Sequence, residues 1–101
     1  IDQYPNRLQI IKLNAVCEYK LKNYSISINH WTKILKATEK LTEDWMESKY
    51  QIVYILSLID KDRSISILDQ FATLYPNYGY GFYSKELELL HKSLKDKHDE
   101  D

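Results

Sequence analysis

Apolar residues fall along this chain in five stretches separated by short polar breaks. From Arg7 to Leu21, Leu8, Ile11, Ala15, Val16 and Tyr19 recur at three- and four-residue steps, the spacing that lines one face of an α-helix. Pro5 stands just ahead, at a first-turn position where its missing N–H costs nothing. After Lys22-Asn23 a second stripe runs through Tyr24, Ile28, Trp31 and Leu35, with Ile34 flanking it. The segment Lys36–Glu43 is polar and holds Thr42, a candidate cap for the next helix. Trp45–Ile59 is apolar on nearly every side. Its β-branched residues would suit a strand, but the run is far longer than the ~4–8 residues of a typical strand, so it predicts a buried helix. Beyond Asp60-Lys61-Asp62, a fourth stripe (Ile65, Leu68, Phe71, Ala72, Leu74) ends at Tyr75-Pro76-Asn77, since proline disfavours helical geometry in the residue before it. A fifth helix, from about Tyr80 to Lys95, carries Tyr83, Leu87, Leu90 and Leu94, with charged residues on its other faces. Residues 96–101 are too polar to pack and are expected to be a disordered tail.

Composition supports long helices with tight connections. Two glycines and two prolines in 101 residues are too few for the turns of a β-sandwich or barrel. The net charge of −1, with both signs interspersed, gives a phosphate backbone nothing to attract, which argues against nucleic acid as partner. No run approaches the ~18 apolar residues of a membrane span. Cys17 has no second cysteine to pair with. Its apolar neighbours suggest a small buried side chain, and a reducing, cytoplasmic setting is the expectation.

Tyr4-Pro5-Asn6 recurs as Tyr75-Pro76-Asn77, 71 positions on. That is twice a 34-residue period plus three, and the polar linker around residues 36–43 has room for the excess. The segment Glu18–Leu35 resembles the middle of a tetratricopeptide unit. Tyr24 stands at the turn tyrosine, Ser27 at the small site, Trp31 at the large aromatic site and Ile34 at the small-to-medium site, with Ala15 in the small position of the first helix. A second copy matches less closely through Asp60, Ser64, Leu68, Phe71 and Pro76. Lys22 and Ile59 replace the usual turn glycine, Gln51-Ile52 the leucine–small pair, and the two serines alanine. The resemblance implies an all-α superhelix of antiparallel helical hairpins: units at about residues 7–39 and 44–76, and a covering helix at about 80–95, in one domain spanning residues 1–95. Pro5 as a closing proline adds the expectation that another repeat precedes it, making the chain a C-terminal piece of a longer array.

The family binds peptides or partner helices in a groove lined by the first helix of each hairpin. By that resemblance the groove residues are Gln9, Lys12, Val16, Tyr19 and Lys20 in one unit and Met46, Lys49, Val53, Leu56 and Ser57 in the other. The lysines would offer donors to an acidic or carboxylate-ended partner, and Tyr19 and Met46 adaptable apolar contact. The family's carboxylate clamp has asparagine where this chain has Val16 and Val53, so a chaperone-tail ligand is not expected.

Nine tyrosines are many for this length. Tyr75, Tyr78, Tyr80 and Tyr83 cluster with Phe82 around the last turn, where they either pack the terminal helix or form a contact for self-association. His30, His91 and His98 lack metal-ligand spacing, and neither a nucleophile elbow nor a phosphate loop is present, so no metal, cofactor or enzymatic activity is expected. Asn23-Tyr24-Ser25 matches the glycosylation acceptor pattern. The function these readings favour is a protein-interaction scaffold that binds another protein or peptide. The alternative is an assembly domain that packs within its parent or self-associates through Tyr75–Tyr83.

Overall fold

The computed structural model describes residues 7–100, so the first Tyr-Pro-Asn lies outside the described residues. Those residues are all-helical, with five α-helices and no strand: α1 (Arg7–Lys20), α2 (Tyr24–Ala37), α3 (Glu43–Ile59), α4 (Lys61–Leu74) and α5 (Ser84–Glu100). None is long and apolar enough to cross a membrane. A 3-10 turn, Pro76–Gly79, separates α4 from α5. Each helix packs on the next in sequence, and α3 also meets α5, so α1, α3 and α5 form one layer and α2 and α4 the other.

Residue chemistry sets each connection. α1 ends in a Schellman motif: the Asn23 N–H donates to Glu18 O at 2.8 Å and the Lys22 N–H to Tyr19 O at 2.9 Å. The motif needs a left-handed residue, and Lys22 supplies it at φ 65° where glycine is usual. A lone Asp60 joins α3 to α4. Its N–H donates to Leu56 O at 2.7 Å, closing one helix, and its carboxylate accepts from the Arg63 N–H at 3.2 Å, opening the other. Thr42 does occupy the N-cap position of α3, but its hydroxyl donates back to Glu39 O at 2.6 Å and caps nothing; Glu43 and Asp44 supply the favourable negative charge in the first turn.

The last connection departs furthest from the expected course. The fifth helix begins at Ser84, not Tyr80, because Asn77, Tyr78, Tyr80 and Tyr83 all adopt positive φ, as does Gly79 at 87°. Only Gly79 has space-driven need of glycine: a Cβ there would sit 3.1 Å from the Leu41 side chain and 3.4 Å from Met46. At the other end α5 runs on to Glu100, past the last apolar residue of its stripe, because the Lys-Asp-Lys-His-Asp-Glu sequence contains no helix breaker.

Two buried clusters share α3. Ala15, Trp31, Ile34 and Ile55 pack α1, α2 and α3 together. Trp45, Met46, Val53, Ile65, Leu68, Phe71, Leu87 and Leu94 pack α3, α4 and α5. Burial on both sides is what the all-round apolar sequence of α3 provides for. In each hairpin a fully buried serine lets the helices approach closely. Ser27 donates to Ala15 O, and Ser64 to Val53 O, at 2.7 Å in both cases.

α1 is apolar on two opposed faces. Ala15 points inward, while Ile10, Leu13, Cys17 and Leu21 lie exposed on the far side, Leu13 and Leu21 at 62% and 69%. Cys17 is thus exposed rather than buried, since it sits about 160° around the helix from Ala15.

Replacing Lys22 with glycine relieves a left-handed side chain and is expected to stabilise the fold by about 0.5–1 kcal/mol, read as a higher urea midpoint. Ser27→Leu has the opposite effect. It removes the pinning hydrogen bond and overpacks the hairpin, with a loss of about 3 kcal/mol measured the same way.

Candidate functional site

The two serine pins give the internal register. Ser27 follows its acceptor by 12 positions and Ser64 by 11. The second hairpin is therefore one residue shorter between its paired positions, so positions on α1 correspond to those 38 further on in α3, while α2 and α4 correspond at 37. The α3 residues that the resemblance nominates stand 37 positions after their α1 counterparts, one short of the 38 that the serine pins give.

The structure places them accordingly. Met46 and Val53 lie in the interior against α4 and α5, and Leu56 is buried on the side of α3 that meets α2 and α4. Lys49 points the same way, its Nζ 5.5 Å from the Trp45 ring centre and 5.8 Å from that of Phe71, and burial lowers its pKa below 10.5. Ser57 remains partly exposed and donates to Tyr54 O at 2.6 Å. On α1, Gln9, Val16 and Lys20 are exposed, and Lys12 and Tyr19 half-buried towards α3. Shifting the α3 row by one position gives Glu47, Tyr50, Tyr54, Ser57 and Leu58, of which Leu58 is exposed.

Lys12 and Tyr19 meet this corrected row. Lys12 Nζ lies 2.7 Å from both Asp44 Oδ1 and Glu47 Oε1, bridging α1 to α3. Burial acts to lower the Lys12 pKa, but the two carboxylates more than offset it and hold the pKa above 10.5. Beside this bridge runs a continuous series of tyrosines. Tyr24 lies 5.7 Å from Tyr19, Tyr19 6.4 Å from Tyr54, Tyr54 6.0 Å from Tyr50, and Tyr50 5.7 Å from Tyr83, centre to centre. The last two pairs are stacked. All five rings are half-buried, and the series runs from the first residue of α2 across α1 and α3 to the residue before α5. A hydrogen bond to Tyr54 raises the Tyr19 pKa above 10.0. Burial raises those of Tyr50 and Tyr83, with the nearby charges of Glu86, Glu47 and Glu43 acting in the same direction.

Two further features lie off this face. A cleft of about 350 Å³ on the opposite side of α3 is lined by Ile28, Ile52, Leu56, Ile59 and Ile67. His91, whose spacing in the sequence gives no sign of a partner, is buried between α4 and the 3-10 turn. Its Nε2 lies 2.7 Å from Asp69 Oδ1 and its Nδ1 2.8 Å from the Tyr78 hydroxyl, with Lys95 Nζ 3.1 Å from the same Asp69 oxygen. Both imidazole nitrogens are engaged, so the group latches α5 and leaves no lone pair for a substrate. Nothing local in sequence joins residues 69, 78 and 91. Of the tyrosines near the last turn, Tyr75 packs on Trp45 and Phe71, and Tyr83 on Tyr50, while Tyr80 and Phe82 face outward.

The chain matches no family model, no curated protein and no solved structure.

His91, then Lys95, holds the Asp69 carboxyl below its ordinary pKa of 3.8. A depressed folded-state pKa contributes stability above the unfolded value and loses it as pH falls through the folded one. Wild type and Asp69→Asn should therefore differ most in urea midpoint at pH 5 and above, and converge as the pH drops below about 4.

Proposed function

We propose that this chain is a protein-interaction scaffold of the tetratricopeptide kind that binds a peptide or partner helix across the face shared by α1 and α3. The observation that carries the reading is the repetition of one hairpin, pinned at Ser27 and again at Ser64, which aligns Lys12, Val16 and Tyr19 with Tyr50, Tyr54 and Ser57 along one surface. A row of half-buried aromatic side chains is suited to binding, because tyrosine combines contact area with a polar tip and loses little conformational entropy. Binding rather than catalysis also fits the latched state of His91.

The two ends differ in a way that supports membership of a longer array. α5 buries Leu87, His91 and Leu94 against the body and turns Lys85, Glu86 and Lys92 to solvent, with Leu89 exposed among them. α1 instead exposes Ile10, Leu13, Cys17 and Leu21. The positions that correspond to Ile10, Asn14 and Cys17 in α3 are Ser48, Ile52 and Ile55, the side that α3 turns to α2. On this reading another helical hairpin packs on α1 as α2 packs on α3.

A second reading, self-association, draws on Tyr80 and Phe82, which are 80% and 51% exposed on the last turn.

Tyr50→Ala combined with Tyr54→Ala should abolish capture of a partner and leave the helical circular dichroism signal intact; undiminished capture would remove the face from consideration. Light scattering over a concentration series tests the second reading, which predicts a mass increase that Phe82→Ser suppresses.

A further inference from the structure

The lysines on α1 and α3 suggest in sequence an acidic partner, but their placement in the fold reverses the sign. Lys12 is already held by two carboxylates at 2.7 Å, and Lys49 is withdrawn beneath Trp45 and Phe71 on the other side of α3. Around Tyr50, Tyr54 and Tyr83 this sets the one Lys12 charge, held by Asp44 and Glu47, against Glu43, Asp44, Glu47 and Glu86. The charges of Glu47, Glu43 and Glu86 all bear on the Tyr83 hydroxyl, and that of Glu86 also on Tyr50. Lys20, exposed towards the C-terminal end of α1, is the other cation of the α1 row.

We infer that the α1–α3–α5 face selects an extended protein segment bearing arginine side chains, which lie against the rings of Tyr19, Tyr54, Tyr50 and Tyr83 and pair with Glu47 and Glu86. This rests on the reading of that face as the binding surface and adds the chemistry of its ligand. Aromatic rings present a negative face to cations, and guanidinium is planar and weakly hydrated, so it stacks where ammonium does not. Carboxylates beside the rings supply the complementary charge and the bidentate acceptors that fix arginine in place. The ring spacing of 5.7–6.4 Å is close to the ~6.5 Å between alternate side chains of an extended strand, so every second residue of the segment meets a ring. A negatively charged segment would face the carboxylates of Glu43, Glu47 and Glu86 along the same path.

The test is fluorescence anisotropy with three short labelled peptides: arginine alternating with serine, and the same peptide with glutamine or glutamate in place of arginine. The arginine peptide should bind, the glutamine peptide at least about tenfold more weakly, and the glutamate peptide not at all, with affinity falling as salt is raised from about 50 to 200 mM. Tyr50→Leu keeps the aliphatic packing and removes the ring, and Glu86→Lys reverses an exposed charge without touching the core. Each should weaken the arginine peptide about fivefold or more, while Asp62→Asn on α4, in the other layer, should leave it unchanged. If Tyr50→Leu lowers the helical signal, Glu86→Lys and Glu47→Gln decide the matter alone. Equal binding of the glutamine peptide, or preference for glutamate, overturns the charge assignment; if that binding is still lost in Tyr50→Leu, the binding face itself survives. Equal losses in Asp62→Asn and Glu86→Lys overturn the inference as mere net-charge attraction. Failure of all three peptides to bind overturns it and counts against the face as well.

Discussion

The close approach of two helices at a buried serine is the constraint on which the other features rest. Ser27 and Ser64 are small enough to admit the facing backbone, and each gives its hydroxyl proton to a carbonyl of the opposite helix. An alanine would allow the same distance without fixing the register, and a larger residue would separate the helices. Once the register is fixed, the rest follows geometrically. Trp31 and Leu68 fall 37 positions apart at equivalent sites, α3 is committed to burial on both sides, and the outward row of α1 is set beside that of α3.

The same constraint accounts for the character of the exposed face. With α1 and α3 held one helix apart across α2, only long side chains can span the gap, and the residues that do so are Lys12, Asp44, Glu47, Tyr19 and Tyr54. The ion pairs and ring contacts are consequences of the spacing as much as causes of it. Tyr50 and Tyr83 extend the contact to α5, so one aromatic surface crosses all three helices of that layer.

Much of this fold was legible in the sequence because helix periodicity is a local signal. The first four helices fall within two residues of the boundaries that apolar spacing and turn residues imply, and the importance of Ser27, Ser64 and Lys22 could be read from their places in the pattern. The start of α5 was not legible: tyrosine in the left-handed region has no sequence signature, and the contacts of this turn, Gly79 against Leu41 and Met46, Tyr78 on His91 and Tyr83 on Tyr50, come from residues far along the chain. The face was half legible. Its α1 residues followed from periodicity, but its α3 residues depended on how many residues turn the second hairpin, and an error of one rotates a helical position by about 100° and carries it from surface to core. Lys49 shows the consequence: a lysine assigned to the open face lies over two buried rings. The His91 latch was invisible because its members are far apart in the chain.

The two hairpins also differ in how their helices are joined. The turn between α1 and α2 contains three residues, Leu21, Lys22 and Asn23, whose N–H groups all donate back to α1. Between α3 and α4 stands Asp60 alone, whose N–H and carboxylate are both committed to the helices it joins. With only its φ and ψ available, α3 cannot tilt without turning α4, and α4 carries Asp69, the anchor of α5. A load that tilts α3 is therefore carried on into α4, and the second hairpin behaves as a lever with its fulcrum at a single residue.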